Sequence, residues 1–384
     1  MIDPLSTRVD PRNEPMDARG NPLLASRKTN RRRVIAGGMA GLATGVPAAI
    51  TEPAMGQTPL PTVTPSSAGF SGNLDIGGRS LFVETRGAGS PTVVFEAGAL
   101  GRSDVWSRDS HEPAGMRVMV LPAVATFAHV GTYDRPGTIG EVNPDLDPTA
   151  PLFYPSRGDP VSQPRTVGDV VNDLHAVLQG AAIPSPYVLV GHSMGGLCMQ
   201  LYASRYPDDV VGMVLVDATH EDVWARFRQA LLPSAWETFE ALTVENHELL
   251  AAYPEAERLL RAPLVDDPGM AQMRRARIDS PLRPMPLVVL SHGIPFSAPF
   301  PEWPTAEMER IMLGLQTELA SLVPNARHVI AEQSGHNIHQ DQPELVIEAI
   351  RQVVGAVRDP DTWSEGPTSR ESPAHSSWRV ADGG

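Results

Sequence analysis

Apolar residues along this chain fall into two registers that alternate. Short unbroken runs read as strands buried on both faces: Thr92–Glu96 in PTVVFEAGAL, Tyr187–Val190, and Leu287–Ser291. Between them lie segments of helical spacing, clearest at Val167, Val170, Val171, Leu174 and Leu178. Residues 73–87 predict a hairpin turning at Gly77-Gly78, and residues 129–137 predict a strand running into a proline–glycine turn. Further strands are expected in 210–222 and at Arg327–Ala331, and a closing helix over 342–354. Residues 222–282 read as helical, with Trp224, Phe227, Trp236 and Phe239 early in the run. Strands and helices that alternate in this way predict an α/β fold, a mostly parallel sheet with helices on both faces. No internal repeat interrupts the pattern. Residues 138–165, rich in proline and acid, have no period; that length suits a lid or a surface excursion.

The N-terminal pattern is of another kind. Eight basic residues precede the apolar, glycine-rich run 34–50, VIAGGMAGLATGVPAAI, and Ala54-x-Gly56 offers a small-residue cleavage site. Asn30-Arg31-Arg32-Arg33-Val34-Ile35 resembles a twin-arginine export signal. The chain is thus expected to be exported, to the cell envelope, the periplasm or the medium. Residues 34–50 either are cut away or remain as an anchor, and no other segment is apolar and long enough to span a bilayer. The expected layout is an export segment over 1–56, a linker over 57–72, a core over 73–219, a helical insertion over 220–283, the rest of the core over 284–356, and a disordered tail over 357–384.

Composition narrows the partners. A chain of 384 residues can bury a large core, and its formal charge of −14 disfavours a nucleic-acid partner. Lys28 is the one lysine, and the single cysteine, Cys198, excludes an intrachain disulfide and suits a buried apolar position. No Cys/His cluster has metal-ligand spacing, and nothing implies a cofactor.

The chemistry starts at GHSMGG, where Ser193 stands between a strand and a helix. A strand, a tight turn and a helix are what a nucleophile elbow requires, with Gly191 and Gly195 relieving the crowding. A serine nucleophile needs a base, and the base needs a carboxylate. His336, in the loop between the last strand and the closing helix, is the first choice for the base, and His339 the second. Asp217, near the end of the strand after the elbow helix, is the first choice for the acid, and Glu302 the second. Backbone N–H groups of Met194 and Ala99, with Leu100 as the lesser alternative to Ala99, are placed to hold an oxyanion. Asp134-Arg135-Pro136-Gly137 reads as a turn organiser rather than as a catalytic group.

GHSMGG, TYDRPG, LVDATHED and SGHNIHQDQPELV, in that order over residues 73–355, make the chain resemble the α/β-hydrolase superfamily. The resemblance implies an eight-stranded sheet with a helical cap after the sixth strand, matching 220–283. Many members take their acid from an HG-x-x-D context after the seventh strand; SHGIPF puts Phe296 there, while Asp217 occupies the position used by other members. A serine at the elbow disfavours the epoxide hydrolases and haloalkane dehalogenases, whose nucleophile is aspartate. The expected activity is hydrolysis of a carboxylic ester through an acyl-enzyme, on a small molecule with an apolar acyl or alcohol group. A cofactor-independent perhydrolase, a carbon–carbon hydrolase and a non-catalytic binding protein on the same fold stay open.

Overall fold

The structure, a computed structural model, describes residues 69–111, 116–140, 154–161, 163, 165–251 and 267–363. The expected export segment 1–56, the linker as far as residue 68, most of 138–165, part of the insertion (252–266) and residues 364–384 lie outside these.

Eight strands form one sheet. They are β1 (Phe70–Asp75), β2 (Ser80–Arg86), β3 (Thr92–Glu96), β4 (His129–Tyr133), β5 (Tyr187–His192), β6 (Val210–Val216), β7 (Leu287–His292) and β8 (Arg327–Ala331), in spatial order 1-2-4-3-5-6-7-8. β1–β2 and β2–β4 pair antiparallel, and all later pairs are parallel. The helices are α1 (Val120–Val124), α2 (Val167–Gly180), α3 (Met194–Arg205), α4 (Val223–Ala230), α5 (Pro233–Ala251), α6 (Pro268–Asp279), α7 (Thr305–Leu319), α8 (Ile338–Asp341) and α9 (Pro343–Arg358). α4, α5 and α6 form the insertion between β6 and β7.

The unbroken apolar runs are explained by cover on both faces. Along β5, Tyr187 and Leu189 pack with α2 and α3 residues such as Leu174 and Leu197, whereas Val188 and Val190 pack with Val120, Ile350 and Val353 from α1 and α9. β6 and β7 sort their side chains in the same way, Leu215 and Val289 to one layer and Val216 and Leu290 to the other. Local chemistry sets helix starts: Thr166 and Asp169 cap α2 reciprocally, at 3.2 and 2.7 Å. Asp267 caps α6 through Gly269 and Met270, with Pro268 in its first turn.

Register carries the fold to the site. Glu96 pairs with Gly191, His192 with Val216, Val216 with Leu290, and His292 with Ala331. The carboxyl ends of β3, β5, β6, β7 and β8 therefore share one rim, and the loops after them meet there.

Two expected boundaries are corrected. β1 begins at Phe70, inside the expected linker, because Phe70 pairs with Thr85 and its N–H also bonds to the Thr85 hydroxyl at 3.0 Å. The expected tail is ordered at its start: α9 continues to Arg358, and a 3₁₀ turn spans Pro360–Trp363. Arg358 donates to the carbonyls of Ser90 and Phe127 at 2.9 Å, and Arg327 lies over the Trp363 ring at 4.1 Å. Anchors of that kind leave no periodic trace in sequence.

Candidate active site

Ser193 follows β5 and precedes α3 with φ 53° and ψ −123°, a conformation that side chains resist. Its N–H donates to Val216 O at 3.1 Å, and its carbonyl accepts from Gly196 and Thr219 at 3.0 and 2.9 Å. Glycine is needed on both sides. A Cβ on Gly191 would lie 2.6 Å from the Gly195 carbonyl, and one on Gly195 would lie 2.5 Å from the carbonyl oxygens of Glu96 and Ala97. The elbow is thus a steric consequence of strand and helix crossing at van der Waals distance. No hydrogen bond joins the Ser193 hydroxyl to His336 among the described residues.

Asp217 is the first residue past β6, at φ 43°, with its N–H donating to Leu290 O at 2.7 Å. Its carboxylate, fully buried, accepts from His336 Nδ1 at 2.6 Å. Burial pushes that carboxyl upward, but hydrogen bonds from His292 and His336 outweigh it and hold the group well below the usual carboxylate range. The His336 loop is pinned by its backbone: Gly335 N–H donates to Asp341 at 2.9 Å, and His192 Nε2 donates to His336 O at 3.0 Å. Burial, then the neighbouring His339 and His336, keep His192 neutral, so it serves as a hydrogen-bonding strut beside Ser193.

The alternatives weighed from sequence are separated here. Glu302 is exposed, and among the described residues no hydrogen bond links it to His336. His339 is 2% exposed, packed between Trp106 and His192 at ring distances of 4.9 and 4.4 Å, and burial takes it down to about 3. It is a core residue and not a surface polar group at a helix start, because the short α8 turns it inward.

The turn after β3 faces the serine. A Cβ on Gly98 would lie 2.8 Å from His192 Nδ1 and 3.3 Å from Ser193 Cβ. Gly101 N–H closes this turn on Gly98 O at 3.1 Å, with Leu100 at φ 64°. The Ala99 N–H has no acceptor among the described residues, and that of Met194, in the first turn of α3, has none within its helix. Arg135 holds the turn from below: its guanidinium, 1% exposed, donates to Ala97 O at 2.9 Å and to Gly98 O at 2.5 Å, and pairs with Glu96. Beside it, Asp134 accepts from Ser103 N–H and Oγ at 3.1 and 2.6 Å and from Arg157 Nε at 2.7 Å. TYDRPG therefore organises the turn after β3 as well as its own, a role hidden in sequence because it spans separate strands.

Two more groups were missed. His292, the last residue of β7, sets Nδ1 against Asp217 (2.8 and 2.9 Å) and Nε2 against Glu309 of α7 at 2.8 Å. Glu309 also accepts the N–H of Phe296 at 2.9 Å, and the Phe296 ring lies 5.3 Å from that of His336. SHGIPF signalled the place by what it lacks, but nothing local pointed to Glu309.

The aromatic residues of the insertion pack on one another. Trp224 and Phe227 are buried, and ring pairs Trp224–Phe239, Phe227–Trp303 and Phe239–Trp303 lie 5.8, 5.8 and 5.2 Å apart. They join the insertion to the segment between β7 and α7.

Residues 93–349 match the family model described as the alpha/beta hydrolase family. The chain is 26% identical over 268 residues to the uncharacterized protein YqjL of Bacillus subtilis, covering 70% of this chain and 85% of that one. It is 22% identical over 327 residues to an AB hydrolase superfamily protein of Gibberella zeae, covering 73% and 92%. Among solved structures, the lip1 protein of Acinetobacter baumannii AYE shares the fold, with a TM-score of 0.50 at 18% identity, over 77% of this chain and 93% of that one. With its eight-stranded sheet, its elbow and a match over most of its core, the chain belongs to the α/β-hydrolase family.

Proposed function

We propose that this α/β-hydrolase cleaves a carboxylic ester through an acyl-enzyme. The observation that carries the reading is the buried Asp217–His336 hydrogen bond of 2.6 Å, set on the same rim as a serine held at φ 53°. Ser193 Oγ attacks the carbonyl carbon while His336 Nε2 takes its proton; collapse of the tetrahedral intermediate expels the alcohol, which receives that proton. Water then attacks the acyl-enzyme by the same path, releasing the acid and restoring the serine. Asp217 fixes the Nδ1–H tautomer of His336 and offsets its charge, and the N–H groups of Ala99 and Met194 face the oxyanion. The serine–imidazole hydrogen bond tightens when substrate excludes water from the rim.

Phe296, with its ring against His336, supports an ester with an apolar acyl group. The arginine-rich start and the 34–50 run support export, with or without a retained anchor; N-terminal sequencing of the exported protein reads which.

Ser193→Ala should abolish hydrolysis of p-nitrophenyl esters and labelling by a fluorophosphonate, with thermal stability nearly unchanged. A variant that retains turnover overturns the assignment.

A further inference from the structure

We propose that His292 is a positioning residue, an imidazolium clamped between Asp217 and Glu309, through which a helix outside the Ser–His–Asp set tunes the basicity of His336. The proposal rests on the reading of Asp217 and His336 as acid and base.

Both ring nitrogens of His292 face carboxylate oxygens, Nδ1 at 2.8 and 2.9 Å from Asp217 and Nε2 at 2.8 Å from Glu309. A neutral imidazole has one N–H and one lone pair. It would set that lone pair against an anionic oxygen, so the clamp selects the doubly protonated ring. Burial pushes the imidazole down, but its bonds to Asp217 and Glu309 outweigh that and raise it to about 10.

Charge counting gives the purpose of the second carboxylate. Asp217 alone offers one negative charge to the imidazolium that forms on His336. Adding the His292 cation cancels it, and Glu309 restores it. The remaining groups around this chain are His192 from β5, buried and neutral; His339 from α8, buried and neutral; and Asp341, which bonds Gly335 N–H and pairs with His111 at 2.9 Å. Among the described residues none of them hydrogen-bonds to Asp217. Glu309 also fixes the turn after β7, through Phe296 N–H, beside His336.

The two partners should therefore act in opposite directions. Removing the cation with His292→Gln leaves Asp217 and Glu309 both negative and raises the His336 titration. Removing the distant carboxylate with Glu309→Gln leaves the cation unbalanced and lowers it. Each shift should be about one pH unit, a tenfold change in the protonation equilibrium.

The test is a titration of ¹⁵N-histidine-labelled full chain by NMR, with His336→Ala for assignment. In the native protein His292 should stay doubly protonated to about pH 8 or above, a measurement that needs no substitution at the clamp. The Glu309 side chain is 20% exposed, so Glu309→Gln is the variant expected to fold if His292→Gln does not. The acid limb of kcat/KM on a p-nitrophenyl ester should move with the His336 resonance in each variant. A His292 that loses its proton near its ordinary value of about 6.5 overturns the proposal. So does a His336 titration that is unmoved, or moved the same way by both substitutions, while only melting temperature falls. Absence of turnover and of fluorophosphonate labelling at Ser193 would overturn the hydrolase reading, and the NMR titration would still decide the clamp.

Discussion

The turns after β5 and after β7 lie on one rim, on either side of β6, yet they are built by different means. The β5 turn is a matter of close backbone approach. Gly191 and Gly195 stand where any Cβ would strike carbonyl groups, and Ser193 takes φ 53° because its N–H and carbonyl are tied to Val216, Gly196 and Thr219. The β7 turn is a matter of charge. Its own loop brings Phe296 beside His336, and the negative charge comes from Asp217 just past β6 and from Glu309 on α7, joined through His292. Steric requirements of the first kind sit in adjacent residues; electrostatic requirements of the second kind are met across strands.

The comparison breaks most visibly at Asp217. Asp217→Asn should lower kcat on p-nitrophenyl esters by about 10³- to 10⁴-fold while Ser193 stays in place, because the amide holds His336 in the wrong tautomer. A loss of only a fewfold would mean that another carboxylate orients the base. A smaller effect is expected from the oxyanion turn. Replacing Arg135 alone would take a cation from the buried Glu96, so the paired change Arg135→Met with Glu96→Gln isolates the positioning role. It should cost about 10- to 100-fold in kcat with KM nearly constant, read by steady-state kinetics beside a melting curve. Equal activity at unchanged stability would show that the turn holds its shape without Arg135.

The smallest effect is on stability against pH. His292, raised to about 10, stabilises the fold fully below its ordinary value of about 6.5, and that stabilisation is lost as pH climbs toward 10. His192 and His339 run the other way. Burial depresses both, His339 to about 3, so the unfolded chain binds their protons first and stability declines as pH falls below about 6.5. The lowered Asp217 carboxyl adds a further loss at still lower pH, below its ordinary 3.8. Melting temperatures should be highest near pH 6.5 and fall by a few degrees on each side, and His292→Gln should flatten the alkaline arm. An alkaline arm that persists in that variant would assign it to another group.

Much of this was readable from the chain. Parallel strands covered on both faces are apolar along most of their length, so β3, β5, β6 and β7 stood out as apolar runs, and their register with β8 brings Ser193, Asp217 and His336 to one rim. The boundaries that were misplaced, at Phe70 and after Val357, depend on single contacts such as Phe70 with Thr85 and Arg358 with Ser90 and Phe127, which impose no period. Trp224 and Phe227 pack on one another, and Phe227 packs on Trp303, a contact between distant segments that leaves no mark on the local pattern.

By itself the sequence determined the layered sheet and the elbow that holds Ser193, since each follows from residues adjacent in the chain or from a repeated spacing. Only tertiary structure decided that Arg135 holds the turn after β3 and that His292 joins Asp217 to Glu309. Hydrogen bonds between strands depend on which residues the register sets opposite each other, and pairs 17 to 75 positions apart share no local pattern that could announce them.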